Sequence, residues 1–421
     1  MAVIGFALIA AAVLALLVLV HRYVWRRLVG DTTTPGSLPR RAGTVAAYVL
    51  PLLSVGALVA GRTGTPFPLQ QALAWPGYLW PAALLYLTLA LLAGELVRPL
   101  LRRLLARRSG SAPEPAAQET VPAEAAPAPA AHASAVTTAP PAAAPADPSR
   151  RLFVARAVGG AAAVAGLGTT GYGTYGVLRG PRVKRVTVPL ARLPRSAHGF
   201  RIAVVSDIHL GPVLGRAHTQ RIVDTVNRTQ PDLIAVVGDL VDGSVEDLGP
   251  AAEPLARLRS RHGAFFVTGN HEYYSGAAEW VDHVRELGLH PLENARVEID
   301  GFDLAGVNDI AGESEGQGPD FGRALGDRDP ARAAVLMAHQ PVVIDEAVRH
   351  GVDLQLSGHT HGGQLWPGNY IAELSNPTVA GLERYGDTQL YVTRGAGAWG
   401  PPVRVGAPSD ITVVELASRQ A

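Results

Sequence analysis

The sequence of 421 residues contains no cysteine, which excludes disulfide bonds and any metal site built from thiolates. The absence of cysteine does not indicate on which side of a membrane the protein lies, because proteins without disulfides occur on both sides. Charge is also scarce: 17% of the residues are charged, and the formal net charge is +1. A chain without a strong basic field is not expected to bind nucleic acid. Any metal must therefore be held by imidazole, carboxylate or amide groups.

Charge is scarcest in the first 180 residues, where apolar residues concentrate. Four stretches contain no charged residue: 2–20, 44–61, 63–94 and 157–178. Such lengths are typical of helices that cross about 30 Å of hydrocarbon. Residues 1–108 are therefore predicted to contain three transmembrane helices, the third at 79–93, and residues 150–183 to contain a fourth, less hydrophobic segment.

Each apolar stretch has an alternative interpretation as a buried core helix, and this alternative is most open for the second and the fourth. The first stretch could also be a cleaved signal peptide. Basic residues follow that stretch rather than precede it, at Arg22, Arg26 and Arg27, which disfavours a signal peptide.

Arginine clusters indicate the orientation of the predicted spans. Five arginines lie between the first and second spans and five follow the third, which places both segments in the cytoplasm. Residues 109–149, mostly Ala and Pro, are predicted to be a disordered linker there. Residues 149–154 resemble a twin-arginine export motif or form a basic flank, and either leads the fourth segment outward. We expect a multi-pass cell-membrane protein with an extracytoplasmic domain at 184–421, although basic residues from Arg179 to Arg185 oppose this orientation.

Five short motifs in the second half of the chain combine Asp, Asn and His with glycine. They are Asp207-Ile208-His209, Gly238-Asp239, Gly269-Asn270-His271-Glu272, His339 and Gly358-His359-Thr360-His361. Each motif follows a short β-branched apolar run that predicts a buried strand. Because open α/β sheets carry their sites at the carboxyl ends of strands, we expect these side chains along one rim of an α/β domain. Each motif is weak evidence alone, but the five together favour a two-metal hydrolytic centre.

The chemistry of these residues suits two divalent cations. Imidazoles and carboxylates select ions such as Mn, Fe or Zn. Two ions about 3.5–4 Å apart clamp the attacking and leaving oxygens of an in-line displacement. A carboxylate can give one oxygen to each ion, which a histidine cannot, and Asp239 suits that position. Histidine is the side chain that acts most often as a general acid, and His271 could protonate a departing alkoxide.

The order and spelling of the motifs resemble the calcineurin-like metallophosphoesterase superfamily over roughly residues 184–416, and within it the membrane-anchored bacterial predicted phosphohydrolases. The resemblance implies a β-sandwich of two mixed sheets flanked by α-helices, and a metal-dependent phosphoric ester hydrolase. It implies His271 as the catalytic acid. It implies two metal sites: Asp207, His209, Asp239 and His361 for one ion, and Asp239, Asn270, His339 and His359 for the other. One departure is Asn308, where the resemblance predicts a carboxylate outside the metal-binding set.

Residues near the motifs receive simpler interpretations. Asp242 and Glu272 are predicted to support the ligands or to form turns. Five histidines are predicted to be surface residues or hydrogen-bonded core residues: His218, His262, His283, His290 and His350. Three loops are candidates for substrate contact, at 273–274, 366–370 and 395–405. For the last loop, an ordinary Gly/Pro turn is an alternative.

Three functions are compatible with these patterns. The first is a membrane-anchored phosphoesterase that hydrolyses phosphate mono- or diesters, lipids and cell-envelope precursors among them. The second is an anchored phosphodiesterase or nucleotidase for soluble substrates. The third is a membrane binding or transport module with a regulatory metal domain, which the scarcity of ionisable residues within the spans disfavours.

Overall fold

The computed structural model describes residues 2–109 and 148–419, so the predicted linker at 109–149 lies outside the described residues except at its two ends. The N-terminal part is helical. Its helices are α1 (Ala2–Trp25), continued by a π-helical turn (Arg26–Gly30), α2 (Leu38–Ala60), α3 (Phe67–Ser109) and α4 (Pro148–Leu178). All four contain segments long and apolar enough to cross a membrane. α3 and α4 extend beyond the charge-free stretches because residues with high helix propensity, chiefly leucine and arginine, continue them.

The apolar side chains of α1 and α2 are mostly exposed. Leu8 on α1 is 66% exposed and Leu52 on α2 is 69% exposed. A continuous apolar surface of this kind marks a membrane or protein contact. The exposure disfavours the buried-core alternative for these two helices.

The described residues form two compact units, one of residues 2–45, 87–109 and 148–165, the other of residues 46–86 and 166–419. In the first unit, Arg27 Nε lies 2.9 Å from Glu95 Oε1, and Arg27 Nη1 lies 2.9 Å from Asp31 Oδ2. The pairing offsets the cost of removing these charges from water. The domain boundaries inferred from the sequence remain predictions.

The second unit contains twelve strands and seven further α-helices among the described residues. The strands are β1 (Arg182–Leu190), β2 (Phe200–Val205), β3 (Leu233–Val237), β4 (Ala264–Val267), β5 (His290–Pro291), β6 (Ala295–Ile299), β7 (Phe302–Gly306), β8 (Ala333–Met337), β9 (Leu354–Ser357), β10 (Gly381–Tyr385), β11 (Thr388–Val392) and β12 (Asp410–Ser418). The helices are α5 (Arg216–Thr229), α6 (Val245–Ala252), α7 (Asn270–Ser275), α8 (Ala277–Glu286), α9 (Phe321–Leu325), α10 (Ile344–Arg349) and α11 (Gly368–Ala372).

The strands form two six-stranded mixed sheets. The order in the first sheet is β1-β12-β2-β3-β4-β5, in which β2 to β5 are parallel and β12 is antiparallel to β2. The order in the second is β10-β11-β9-β8-β7-β6, with the edge strands β10 and β6 antiparallel to their neighbours. The predicted fold class, an α/β domain with a two-sheet β-sandwich flanked by helices, is confirmed.

The two sheets share one apolar core. Residues such as Leu233 and Phe265 of the first sheet belong to the same buried cluster as Val335 and Leu354 of the second. Helices α5, α6 and α8 cover the outer face of the first sheet, and α9 and α10 cover that of the second. Because β2, β3 and β4 are parallel neighbours, the motifs that follow them meet at one edge.

Candidate metal centre

The backbone is strained at the motif residues. Eight non-glycine residues among those described have positive φ, and five of these lie in the motifs. They are Asp207 (52°), His209 (50°), Asp239 (53°), His359 (70°) and His361 (53°). Such conformations cost about 1–3 kcal/mol each and concentrate at functional sites. The surrounding fold must therefore hold these five residues in place.

Glycines allow the motif loops to approach one another closely. A Cβ atom at Gly238 would lie 2.6 Å from the amide nitrogen of Gly269, and φ of Gly238 is +73°. A Cβ atom at Gly395 would lie 2.5 Å from Cβ of Asp207. Side chains at these positions would push the loops apart.

Asp207, His209 and His361 form one group of buried donor side chains. The Nε2 atoms of His209 and His361 are 3.0 Å apart, and His361 Nε2 lies 3.3 Å from Asp207 Oδ1. Asp239 Oδ2 lies 3.7 Å from His209 Nε2. These are the four residues that the resemblance assigns to one ion.

Asp239, His339 and His359 form a second group. His339 Nε2 lies 3.1 Å from Asp239 Oδ2, and His359 Nδ1 lies 3.0 Å from the side-chain oxygen of Asn270. The Asp239 carboxylate therefore lies near both groups, as a carboxylate shared by two ions must. The structure brings together all seven predicted ligands.

The spacing of the donors fits divalent cations. Imidazole nitrogens bind zinc-like ions at about 2.0–2.1 Å, so two of them at a right angle around one ion are about 3 Å apart. Nε2 of His209 and Nε2 of His361 have this separation. Nε2 of His339 is buried and has no hydrogen-bond partner among the described residues, although Asp239 is near. A buried nitrogen without a partner is costly, and a cation would satisfy it.

Hydrogen bonds at the opposite ring nitrogens orient two of the imidazoles. His339 Nδ1 donates to the main-chain oxygen of Val237 at 2.8 Å, which leaves Nε2 free of a proton in the neutral ring. His209 Nδ1 lies 3.1 Å from Asp242 Oδ1. Histidines that bind metals commonly have such partners. Asp242 is therefore placed to orient His209, a candidate metal ligand.

The partner of His361 is Arg404, which the sequence patterns did not single out. Arg404 is 4% exposed, and its Nη2 donates to His361 Nδ1 at 2.9 Å. Its Nε donates to the main-chain oxygen of Gly397 at 2.8 Å. Since a guanidinium can only donate, Nδ1 of His361 accepts, and a neutral ring then carries its proton on Nε2, which must lose that proton to bind a cation. Burial, with the nearby Arg404, lowers the pKa of His361 well below its usual value.

Glu272 connects the two loops that carry Asp239 and Asn270. Its buried carboxylate accepts hydrogen bonds from the amides of Asp239 (2.9 Å), Leu240 (2.7 Å) and Gly269 (2.6 Å). Burial and the neighbouring Asp239 raise the pKa of Glu272 to about 7, against the opposing effect of the amides. This glutamate fixes the position of the shared carboxylate.

The charges of the centre favour a bound cation. Burial lowers the pKa of His209, but Asp242, Asp239 and Asp207 outweigh burial and raise it to about 9. Burial raises the pKa of Asp239, but the histidines, His339 first, hold it well below its usual range. The carboxylates thus stabilise the protonated, positively charged form of His209. A divalent cation would provide positive charge to the same carboxylates.

His271 lies beside the two groups at a more open position. Its side chain is 14% exposed, and its Nδ1 lies 2.6 Å from Asp242 Oδ1. The rings of Tyr274 and Trp399, both exposed, lie 5.4 Å and 5.6 Å from the imidazole. Two of the three candidate substrate loops therefore border the centre. In the loop at 395–405, Gly395 and Gly397 pack against Asp207 and Ile208, and the ring of Trp399 lies beside His271.

Comparisons with known proteins identify the family. The family model described as calcineurin-like phosphoesterase matches residues 200–363. A protein of Aquifex aeolicus described as an uncharacterized metallophosphoesterase is 35% identical over 240 residues, which cover 56% of this chain and 91% of that protein. The chain belongs to the calcineurin-like metallophosphoesterase family. The predicted family is confirmed, and its members are metal-dependent phosphoric ester hydrolases.

Two vertebrate relatives of this metallophosphoesterase are described as transmembrane proteins with a metallophosphoesterase domain. The one from Danio rerio is 39% identical over 259 residues, which cover 58% of this chain and 59% of the relative. The one from Bos taurus is 41% identical over 253 residues, which cover 56% of this chain and 57% of the relative. The chain therefore matches less than two thirds of the length of either relative.

In this metallophosphoesterase, a buried carboxylate occurs one residue after the position that the resemblance predicts. The Asn308 side chain donates to the main-chain oxygen of Gln317 at 3.0 Å. Asp309 is buried and accepts from the amide of Ala311 (2.8 Å) and from Gln340 Nε2 (2.9 Å). Burial raises the pKa of Asp309. Asn308 thus holds the loop that contains Gln317, while Asp309 caps the short helix Ile310–Glu315.

His218 differs from the expectation that it is a surface residue or a hydrogen-bonded core residue. It is 1% exposed, and neither ring nitrogen has a hydrogen-bond partner among the described residues. Burial, with Arg221 and Arg404 nearby, lowers the pKa of His218 to about 3, so the ring is neutral. The helical pattern of α5 alone does not predict that His218 is buried, because the residues that cover it lie in other parts of the chain.

Proposed function

We propose that the protein is a membrane-anchored phosphoesterase that uses two divalent cations, Mn, Fe or Zn, to hydrolyse phosphate mono- or diesters of a lipid or cell-envelope precursor. Membership of the metallophosphoesterase family and the two groups of donor side chains support the hydrolytic chemistry. The exposed apolar helices support the anchor.

The observation that carries the lipid part of the proposal is the contact of apolar helices with two candidate substrate loops, of which the loop at 395–405 borders the centre. Within the second unit, the Tyr86 hydroxyl on α3 donates to the main-chain oxygen of Trp366 at 3.1 Å, in a candidate substrate loop. Val177 on α4 packs in one buried cluster with Leu214 and Ala398. A substrate that reaches the centre along these helices meets an apolar surface, which favours an amphiphile over a soluble ester.

Helix α4 also contacts the arginine that orients a candidate ligand. The amide of Arg404 donates to the main-chain oxygen of Gly173 at 3.3 Å. A Cβ atom at Gly173 would lie 2.7 Å from Val403 Cγ1 and 2.9 Å from the main-chain oxygen of Arg404. The glycine therefore permits close contact between the helix and the loop. The contact places an apolar helix beside the loop that borders the centre, which is the arrangement that a substrate held in the bilayer would need.

The chain's own residues have distinct roles in the proposed reaction. One cation would be held by Asp207, His209 and His361 and the other by Asn270, His339 and His359, with Asp239 shared. When bound, the cations supply Lewis acidity to the phosphate and to the attacking water. His271 would give a proton to the leaving oxygen, a contribution of about 10²–10⁴-fold for a positioned acid. Asp242 would orient His271 through its Nδ1.

We also propose that the catalytic domain faces the exterior of the cell membrane. The arginine clusters after the first and third apolar helices support a cytoplasmic location of those segments. The basic residues that begin α4 support a cytoplasmic start for that helix. A helix of 31 residues rises about 46 Å, enough to reach the opposite face.

The test uses the full chain, solubilised in detergent and loaded with Mn. Turnover of bis-p-nitrophenyl phosphate and of p-nitrophenyl phosphate separates diester from monoester chemistry. Phosphate or head-group release from lipid extracts of the cell membrane then tests the lipid substrate. We expect hydrolysis of a lipid fraction that is abolished by a chelator and restored by added metal.

A pair of variants makes the test specific. Asp207→Asn removes a candidate ligand, while Asp387→Asn makes the same chemical change at a fully exposed side chain. Lipid hydrolysis should be lost in the first variant and retained in the second. Turnover of soluble esters without hydrolysis of any lipid fraction would contradict the lipid substrate.

A further inference from the structure

A cavity of about 470 Å³ lies in the second unit beside the start of α5. Its lining includes Trp75 of α3, Leu178 of α4, and His218 and Arg221 of α5. The loop at 211–215, which follows His209, forms another wall. None of the seven candidate metal ligands lines this cavity, so it is a separate site.

His218 supplies the first sign of a missing ligand. The side chain is 1% exposed and lines the cavity, yet both ring nitrogens lack a hydrogen-bond partner among the described residues. Buried polar atoms are rarely left without a partner, because each costs about 1–3 kcal/mol. An oxygen of a ligand would accept a hydrogen bond from the protonated nitrogen of this neutral ring.

Arg221 supplies the second sign, and it sets the charge of the ligand. Its Nε atom is buried and has no hydrogen-bond partner, and no ion pair with an acidic side chain is found for it in the described part of the chain. The neighbouring Arg216 differs, because it is bonded to the main-chain oxygen of Pro250 and to Glu253. The guanidinium of Arg221 is thus a cationic donor that remains available to an anion.

The backbone at the cavity adds to the preference for an anion. α5 is a helix of 14 residues that begins at Arg216, and its N-cap residue Gly215 supplies no side-chain hydrogen bond to the first turn. The start of a helix carries partial positive charge from its amides. The helix start and the two unsatisfied side chains line the same cavity.

We propose that this cavity binds a phosphate group, presented by the head group of a membrane lipid. The arginine, the imidazole and the helix start would contact the phosphate oxygens. Trp75 and Leu178 belong to apolar helices and provide a surface for the uncharged part of a lipid. The phosphate site does not depend on the proposed hydrolysis, whereas a lipid as its source rests on the proposed membrane location.

The test measures binding rather than turnover. The full chain is delipidated in detergent and stripped of metal with a chelator, so that the metal centre does not contribute. Native mass spectrometry and a titration of Trp fluorescence then follow binding of phosphatidylglycerol and, separately, of inorganic phosphate. We expect one phosphatidylglycerol per chain, with affinity reduced about tenfold or more in Arg221→Gln, the cost of one charge-assisted hydrogen bond.

Two further variants complete the design. His218→Gln keeps a polar side chain in the cavity and should weaken binding less than Arg221→Gln does. Arg228→Gln changes an exposed arginine near the other end of α5 and should leave binding unchanged. Tight binding of inorganic phosphate with the same dependence on Arg221 would support the site and assign it a soluble anion. Absence of binding, or binding that Arg221→Gln does not weaken, would overturn the proposal.

Discussion

Replacement of Glu272 by glutamine should destabilise the metal centre without a change in side-chain size. The carboxylate accepts three main-chain hydrogen bonds, two of them at Oε2 and one at Oε1. A glutamine amide has only one oxygen. If that oxygen keeps the bond to Leu240, the NH₂ group faces the amide donors of Asp239 and Gly269.

The expected loss follows from these contacts. Two hydrogen bonds to a charged acceptor contribute about 1.5–3 kcal/mol each, so the variant should lose about 3–6 kcal/mol. Removal of a buried charge offsets part of this loss, because burial and Asp239 raise the pKa of Glu272 to about 7. We therefore expect a net destabilisation near the lower figure, about 3 kcal/mol. For a domain of this size, that corresponds to a fall of about 6–12 °C in Tm.

Thermal unfolding of the detergent-solubilised variant and metal analysis of the same sample test this expectation. Glu286→Gln is the control, because Glu286 is on the surface and its side chain is 78% exposed. Glu272→Gln should lower Tm and retain less metal, since the loop that carries Asp239 loses its support. An unchanged Tm with full metal content would refute this role of Glu272.

Three further outcomes are expected. His271→Ala should keep its metals but lose about 10²–10⁴-fold in rate on esters with poor leaving groups and much less on p-nitrophenyl esters; equal losses would exclude an acid role. The pKa of His218 is lowered from 6.5 to about 3 in the folded protein. Below pH 6.5 the unfolded chain therefore binds a proton at this residue that the folded protein does not, and the free energy of unfolding falls as the pH falls towards 3. Between about pH 8 and pH 5 this loss is about 2 kcal/mol, and denaturation of His218→Leu should lack it. In spheroplasts, external protease should release the domain beginning near Lys184 and spare a tag near Ala130; protection of the domain would indicate a cytoplasmic enzyme.

The local patterns of the sequence predict much of the fold. Leu233–Val237 is a continuous apolar run rich in β-branched residues, whereas Leu354–Ser357 alternates leucine with polar residues, and each lies in a strand buried within a sheet. The motifs that follow them contain the side chains that the structure brings together. Their roles as metal ligands stay predictions until an ion is observed.

The contacts that orient the site were harder to predict because they join distant parts of the chain. Arg404 bonds to His361 across 43 residues and lies in a loop that reads as a Gly/Pro turn. His218 is buried beside a cavity that it shares with Trp75 and Leu178, which are distant from it in the sequence. The contact between Gly173 and Val403 could not be predicted from helix propensity, because propensity depends only on the local sequence. Tertiary packing determines all three.

Metal content and diester turnover of Asp239→Ala, measured beside the wild type, test the two-metal account most directly. Asp239 lies near His209 of one donor group and His339 of the other, so its removal should affect both ions. A centre with two metals should hold two ions per chain in the wild type, and at most one ion with no turnover in the variant. A variant that bound two ions and hydrolysed the diester at a near-normal rate would contradict the two-metal account.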